Sequence, residues 1–385
     1  MSARRAPGTV GAMSSTLEAA AGGGTDPPPV AYVDTDVHPT VPRSRLRERV
    51  PMRWRDHLVR YQERLPTLND LYPRAANRGV REDAWPEGPD AYPGSSPQLA
   101  QRQLLDEYAI DYAVLNCGDL FVCHETPEFS GILARAINDH IAEEWLDLDP
   151  RFRGAIALPI EAPDAAVAEI ERLAGDGRWV QALIPSSTEE PLGSRKYRRV
   201  LASATDAGLP VATHIGGHDP HRGTGWPSYY LEEHVAYAAA MQTQLLNVLC
   251  DGVFKEIPGL RLVLTECGVA WIVSLRWALD GAWPLLREEA PGLDRLPSEI
   301  IHDHVWFTTQ PIEEPDAPED FVTAIRHGRL EDRLLFSTDY PHWDFDAPTQ
   351  ALPRAVPAQL RRRIFAGNAC DLYGLPPASR AGSGD

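Results

Sequence analysis

The sequence predicts an α/β protein, and within that class a (β/α)8 barrel of the TIM type with a long cap insertion after the first strand. From residue 30 onward, short apolar or β-branched runs alternate with amphipathic stretches. Such alternation is typical of parallel strands joined through helices by right-handed crossovers. Eight such runs are present, which is the number of strands that closes a barrel. Polar residues that can carry chemistry end several runs, where a barrel assembles its active site.

Each predicted strand is a short apolar run. The strands are Ala31–Asp36, Tyr112–Asn116, Arg153–Leu158, Trp179–Ile184, Leu209–His214, Leu260–Glu266, His304–Thr308 and Leu334–Thr338. The predicted helices between them are Ser130–Trp145, Asp164–Ala174, Ser194–Ala207, Tyr229–Lys255, Ala270–Glu289 and Ala317–His327. A doubly wound open sheet is the alternative. We disfavour it because no glycine-rich phosphate loop follows the first strand.

The chain divides into one large domain and two short terminal segments. Residues 1–28, rich in Ala, Gly and Pro, are predicted to be a disordered leader, and 377–385 a disordered tail. Residues 29–376 would form the barrel. Within it, 39–105 is far longer than a usual strand-to-helix connection, so we expect helices and a loop that cap the barrel mouth.

Composition excludes several classes of partner. The 385 residues include 37 Lys+Arg and 55 Asp+Glu, a net charge of −18. Such a surface repels phosphate backbones and anionic lipid, so neither nucleic acid nor membrane is an expected partner. The five cysteines form no Cys-x-x-Cys pair, which suits a reducing cytosol, and we predict a cytoplasmic protein. No apolar run approaches the roughly 20 residues that span a bilayer.

The most informative segment is Val33–His38, which ends in Asp36-Val37-His38. Alternate residues of a strand share a face, so Asp36 and His38 would lie together while Val37 packs away from them. A carboxylate beside a neutral imidazole is half of a divalent metal site. The pair alone is common in proteins without metal, but two later apolar runs also end in potential ligands.

Those two runs end in His214 and Asp339, and a further run between them ends in Glu266. His214 precedes glycines that free the backbone for a tight turn, although a buried structural histidine is the alternative. Glu266 follows a mostly apolar run and needs a partner, either a metal-bound water or a neighbouring basic side chain. Asp339 either caps a turn or binds metal and accepts a proton. His342, three residues later, would line the pocket or orient Asp339.

Other catalytic schemes are disfavoured. The sequence has no Gly-x-Ser-x-Gly elbow for a serine nucleophile. Cys117, Cys123 and His124 lack the spacing of known zinc sites, so we interpret the cysteines as buried and structural. His218 and His221 lie in a polar loop and are expected to be solvated.

An ordered set of motifs resembles the amidohydrolase-related branch of the metal-dependent hydrolases, which includes aminocarboxymuconate semialdehyde decarboxylase and the resorcylate-type decarboxylases. The resemblance spans about 30–375. Its markers are Asp36-Val-His38, Gly208-Leu-Pro-Val-Ala-Thr-His214, Thr265-Glu-Cys-Gly-Val-Ala-Trp271, Ser337-Thr-Asp-Tyr-Pro-His342 and Phe365-Ala-Gly-Asn-Ala-Cys-Asp-Leu-Tyr373. Leu104–Leu115 also matches the usual approach to the second strand.

The resemblance implies one divalent ion held by Asp36, His38, His214 and Asp339, with zinc the first expectation and manganese the second. It also implies a homodimer. Two departures matter. Many relatives carry His-x-His on the first strand, where this chain has Asp36. Glu266 stands where the best-known decarboxylases place a histidine that transfers protons.

Three functions follow from this site. The first is a metal-dependent hydrolase, in which a metal-activated water attacks an amide, lactone or similar carbonyl of a small molecule. The catalytic groups would be Asp339, Glu266 and His342. The alternative is metal-dependent, non-oxidative decarboxylation of an aromatic or unsaturated acid. The third is an inactive barrel that only binds a small molecule.

Overall fold

The computed structural model describes residues 31–61, 79–88, 91–118, 126–217 and 229–376. Eight parallel strands hydrogen-bond in sequence order, β1 to β8. All eight predicted strands are confirmed, with shifts at their ends. The strands are β1 (Val33–Val37), β2 (Tyr112–Leu115), β3 (Phe152–Ala157), β4 (Trp179–Ser187), β5 (Val211–Gly217), β6 (Leu262–Thr265), β7 (Val305–Thr308) and β8 (Leu334–Leu335).

The first and last strands also meet, so the sheet closes into the predicted barrel. The Thr35 amide donates to the Phe336 carbonyl at 3.0 Å, and the Asp339 amide donates to the Asp36 carbonyl at 3.1 Å. Val37 pairs with Tyr340 in a parallel bridge. These bonds place the residues after β8 directly beside the end of β1.

One buried residue or more from each strand fills the barrel interior. This set is Val33, Val114, Ala155, Val180, Leu183, Ala212, Val263, Trp306 and Leu335. It packs against Ala366, Ala369 and Leu372 near the C-terminus. The Arg261 guanidinium, just before β6, donates to the Leu372 carbonyl at 2.7 Å. The C-terminal helix therefore closes the end of the barrel at which strands begin, and the other end holds the site.

Helices cover the outside of the barrel. They are α1 (Arg43–Arg49), α2 (Met52–Tyr61), α3 (Pro97–Ala100), α4 (Pro127–His140), α5 (Pro163–Leu173), α6 (Arg195–Asp206), α7 (Tyr230–Cys250), α8 (Val253–Glu256), α9 (Trp271–Leu286), α10 (Pro297–His304), α11 (Pro318–Gly328), α12 (Ala358–Arg362) and α13 (Asn368–Tyr373). In the described ranges, no helix has both the length and the apolar character needed to cross a membrane.

Two predictions about these helices were wrong in detail. The stretch predicted as one helix over Tyr229–Lys255 divides at Gly252, whose φ of 68° lies in the left-handed region and ends a helix readily. His304 was predicted to begin a strand but ends α10. Its apolar neighbours serve both elements, so the hydrophobic pattern does not mark the boundary.

Two of the described parts of the insertion after β1 have different positions. In the first, Trp54 of α2 stacks on Phe129 of α4 with ring centroids 4.6 Å apart. In the second, the Arg81 amide donates to the Pro341 carbonyl at 3.0 Å, beside the end of β8. The insertion thus reaches both the outer helical layer and the rim.

The limits of the cap and of the terminal segments stay predictions. Residues 62–78 and 89–90 lie outside the described part of the chain, as do the leader 1–28 and the tail 377–385.

Candidate active site and metal centre

The ends of β1, β5 and β6 bring two carboxylates and two imidazoles together. His38 Nε2 lies 3.2 Å from Asp36 Oδ1. His214 Nε2 lies 3.4 Å from Asp36 Oδ2 and 3.0 Å from Glu266 Oε2. One ligand atom from each of these four residues lies within 4.8 Å of the others, a group that can hold a metal ion. Residues far apart in sequence therefore converge.

A second, overlapping group forms where β8 ends. Asp339 Oδ1 lies 2.9 Å from His38 Nε2 and 2.7 Å from His342 Nδ1. The His38 and His342 rings stack with centroids 4.5 Å apart. His38 thus belongs to both groups. All six residues singled out from sequence meet at one place, with Glu266 beside the ligands and Asp339 beside His342.

The backbone at two of these carboxylates is unusual. Glu266 and Asp339 have φ values of 59° and 61°, in the left-handed region. Such a conformation costs a residue other than glycine about 1–3 kcal/mol and occurs most often at functional sites. The Glu266 amide is held by Thr308 Oγ1 at 3.0 Å. Each strand therefore ends in a turn that directs a carboxylate toward the same point.

Glycines after His214 let the chain turn, as the sequence predicted. Gly217 has a φ of 107°, and a Cβ there would collide with the Ser187 carbonyl oxygen. His214 itself is fixed through its other nitrogen, because Nδ1 lies 2.7 Å from the Ile215 carbonyl oxygen. Nδ1 therefore carries a proton and donates, which leaves Nε2 as the ring atom that faces the carboxylates. Outer contacts of this kind orient metal-binding imidazoles in proteins.

Unused polar atoms test whether a metal fits. Asp36 Oδ2 and Asp339 Oδ2 are buried and make no hydrogen bond to the described residues. Buried polar atoms are nearly always satisfied, so two such atoms in one place need an explanation. Carboxylate oxygen and imidazole nitrogen are donors that divalent ions take. The donor set therefore fits a divalent metal ion.

The charges in the cluster are strongly coupled. Burial alone would raise the pKa of Asp36, but His214 and His38 hold it far below its usual range. Burial would likewise lower the pKa of His214, yet Asp36 and Glu266 raise it to about 10. The imidazoles thus hold protons that balance the carboxylates, and a divalent cation would take over that role.

A buried chain of side chains, which the sequence analysis missed, runs from Asp36 into the barrel. Asn116 Nδ2 donates to Asp36 Oδ1 at 2.8 Å. Gln181 Nε2 donates to Asn116 Oδ1 at 2.8 Å. The Tyr373 hydroxyl donates to Gln181 Oε1 at 2.7 Å. Its signals in the sequence were Asn116, a polar residue that ends the second predicted strand, and Gln181, a polar residue inside the fourth. This chain of hydrogen-bonded side chains fixes Asp36 Oδ1 and leaves Asp36 Oδ2 for the cluster.

A third set of residues lies at the rim beside the cluster. Gln310 Nε2 donates to Asp344 Oδ2 at 2.7 Å, and His234 Nε2 lies 3.4 Å from the same oxygen. Burial, together with the charges of Asp339 and Glu266, raises the pKa of Asp344 to about 7. Nothing in the sequence pattern singled out Asp344.

The other sequence candidates have weaker links to the site. Cys117 is buried at the end of β2, in keeping with a structural role. Two arginines of the insertion after β1 also bond elsewhere: Arg53 pairs with Glu128, and Arg55 donates to the Glu48 and Val50 carbonyls. Neither arginine therefore faces the cluster. Cys123, His124, His218 and His221 lie outside the described residues.

Known proteins share this architecture. The γ-resorcylate decarboxylase of Rhodococcus jostii (strain RHA1) is 27% identical over 296 residues, or 72% of this chain and 88% of the relative. The 5-carboxyvanillate decarboxylase LigW from Sphingomonas paucimobilis superposes with a TM-score of 0.67 at 19% identity, over 90% of this chain and 100% of that one.

A third similar protein is the dihydroxybenzoic acid decarboxylase from Polaromonas sp. JS666, solved with manganese and the inhibitor 2-nitroresorcinol. It superposes with a TM-score of 0.62 at 20% identity, over 90% of this chain and 97% of that one. At such identities the two structures establish the fold. An amidohydrolase family model matches residues 33–375, and the chain therefore belongs to the amidohydrolase family.

Proposed function

We propose that this protein is a metal-dependent, non-oxidative decarboxylase of a hydroxylated aromatic acid. From the sequence, hydrolysis was the first hypothesis and decarboxylation the alternative, and the similar proteins favour decarboxylation. The observation that carries the proposal is the pair formed by half-buried His342 and buried Asp339, which lies beside the carboxylate–imidazole group. It puts a proton source next to a site that can bind an acidic substrate through a cation.

The metal would be held by Asp36, His38, His214 and Asp339, with Glu266 as a further oxygen donor. When bound, a divalent ion supplies positive charge that orients the oxygens of an anionic substrate and stabilises charge developing on them. Three carboxylates make the donor set rich in oxygen, which suits manganese better than a sulfur- or nitrogen-rich site would. We therefore propose manganese, with zinc as the competing ion.

The protein's own residues would supply the proton. Although burial lowers the pKa of His342, the Asp339 carboxylate raises it, so His342 is the proton store of the pair. The proton would pass to the ring carbon that bears the carboxylate, either from His342 or through Asp339. The carbon–carbon bond to the carboxylate breaks and carbon dioxide leaves. The electron pair of that bond stays on the ring carbon and forms the new carbon–hydrogen bond with the proton.

The test uses 2,6-dihydroxybenzoate labelled with ¹³C in the carboxyl group. The protein is stripped with a chelator and reloaded separately with manganese or zinc. We expect labelled carbon dioxide and resorcinol in equal amounts from the manganese form, and none from the stripped form. A hydrolase would instead leave this acid unchanged and cleave amide or lactone substrates with incorporation of ¹⁸O from water.

His327→Phe is the control for effects of metal removal and reloading that do not involve the site. This exposed histidine packs on Trp277 of the outer helix α9. It should match the wild type in every arm. Full turnover by the stripped protein would refute metal dependence, and turnover of no acid in any metal form would refute decarboxylation.

A further inference from the structure

His234, Asp344 and Gln310 come from three different elements and meet at the rim. His234 lies on α7, which follows β5, while Gln310 follows β7 and Asp344 follows β8. Both His234 and Gln310 direct a nitrogen to Asp344 Oδ2, at 3.4 and 2.7 Å. None of the three belongs to the groups that can hold the metal. They form a separate polar set, here called the rim triad.

Two atoms of the rim triad have unused hydrogen-bonding capacity. His234 Nδ1 and Gln310 Oε1 are buried without a hydrogen-bond partner among the described residues. Because Nε2 of His234 faces a carboxylate oxygen, we assign the ring proton to Nε2, which makes Nδ1 the acceptor nitrogen of the ring. Gln310 uses its amide nitrogen on Asp344, so its remaining oxygen is also an acceptor. The group they lack is therefore a donor.

The surroundings of His234 are aromatic. The Tyr230 ring lies over His234 with centroids 5.8 Å apart, and Trp343 lies 5.7 Å from His234. The Trp343 indole N–H donates to the Tyr230 hydroxyl at 3.1 Å, which fixes the two rings. Trp343 is half exposed. Flat apolar walls beside buried acceptors suit a planar ring that carries a hydroxyl group.

We propose that the rim triad is a specificity subsite in which His234, positioned by Asp344, accepts a hydrogen bond from a phenolic hydroxyl of the substrate. The inference rests on the proposed function for the aromatic acid, and it adds which ring substituent is selected. Gln310 Oε1 is the second acceptor. An ether, nitro or carboxylate group at that position has no proton to donate and would leave both acceptors unsatisfied.

The experiment measures binding and needs no turnover. Manganese-loaded protein is titrated calorimetrically with 2-nitroresorcinol and with its monomethyl ether, which keeps one hydroxyl beside the nitro group and masks the other. We expect the wild type to bind the dihydroxy compound at least about tenfold more tightly, since the ether strands a buried acceptor. In His234→Phe, which keeps a flat ring against Tyr230, the ratio should fall to about one.

Gln310→Met is the second variant and should lower the ratio less, because His234 remains. His327→Phe is the matched control and should keep the wild-type ratio. A wild-type ratio near one, or an unchanged ratio in a folded His234→Phe protein, overturns the subsite. If the ratio responds as expected while no labelled carbon dioxide is released, the subsite stands and the proposed reaction fails.

Discussion

Asp34 and Asp36 lie two residues apart on β1, and both are fully buried, yet their surroundings differ completely. Asp34 Oδ1 accepts from the amides of Asp36 and Thr338, and its Oδ2 accepts from the Thr338 hydroxyl at 2.6 Å. Asp36 gives one oxygen to Asn116 and leaves the other without a hydrogen bond to any described residue. The first carboxyl ties β1 to the segment after β8, and the second faces the metal group.

The pKa values of the two carboxyls move in opposite directions for a physical reason. Burial raises the pKa of Asp34 to about 7, because its partners are neutral donors. Two imidazoles beside Asp36 hold its pKa far below the usual range. A buried carboxyl with neutral partners has a structural role, whereas one with cationic partners and an unused oxygen can bind a cation. Burial alone therefore does not distinguish a structural carboxyl from a metal-binding one.

The largest expected effect falls on the proton source. Asp339→Asn keeps the size of the side chain but removes the charge that raises the pKa of His342. We expect kcat for decarboxylation to fall by about 10²–10⁴-fold. Steady-state kinetics of carbon dioxide release check this. A variant with wild-type kcat would remove Asp339 from the mechanism.

The contrast on β1 is tested by Asp36→Asn against Asp34→Asn. Loss of a ligand should weaken metal binding by about a hundredfold or more, beyond what loss of an outer contact costs. Asp34→Asn should keep the wild-type affinity, because Asp34 does not face the metal group. Competition with a chromogenic chelator measures both constants. Equal losses in the two variants would mean that Asp34 and Asp36 contribute equally to metal binding.

The buried chain behind Asp36 should matter less than Asp36 itself. In Gln181→Met, Asn116 Oδ1 loses its donor, so Asn116 holds Asp36 Oδ1 less firmly. We expect metal affinity to fall by about 10–100-fold. Tyr373→Phe, which removes only the far end of the chain, is the graded control and should fall between wild type and Gln181→Met. Unchanged affinity in a folded Gln181→Met protein contradicts a positioning role.

The smallest effect concerns the pH dependence of stability. The folded-state pKa of Asp34 is raised to about 7 from 3.8, so the native state holds this proton longer than the unfolded chain does. The free energy of unfolding therefore loses a contribution as pH rises from about 4 to 7, of the order of 1–4 kcal/mol.

Asp34→Asn cannot ionise, and the Thr338 hydroxyl can turn to accept from its amide. Urea unfolding at pH 5 and pH 7.5 should therefore show a smaller decline in this variant than in the wild type. An identical decline in both proteins would mean that Asp34 titrates normally.

Much of the site was within reach of sequence reasoning because each ligand ends a strand. Asp36, His38, His214, Glu266 and Asp339 follow apolar runs, and a barrel gathers such positions at one rim. The role of each residue was harder to assign. The motifs implied that Asp339 completes the ligand set begun by Asp36, His38 and His214. The structure also places Glu266 next to His214 and His342 next to Asp339.

Asn116, Gln181, His234 and Gln310 escaped notice for a different reason. Each is a single polar residue in a strand, helix or loop, and such residues usually face solvent. Their importance comes from partners far away in sequence, such as Gln181 with Tyr373. Hydrophobic periodicity carries no information about which polar side chains meet across a barrel.

The sequence by itself determined the alternation of strands and helices, the closed parallel sheet and the residues at the strand ends, because local periodicity and chain order constrain those features. The tertiary structure decided which oxygen of Asp36 is held and which is left for a cation. It also gave Asp34 a structural role and brought His234 and Asp344 together at the rim. These differences depend on contacts across the barrel. There the low dielectric and the distances between side chains determine which groups are charged, and the residue type alone does not.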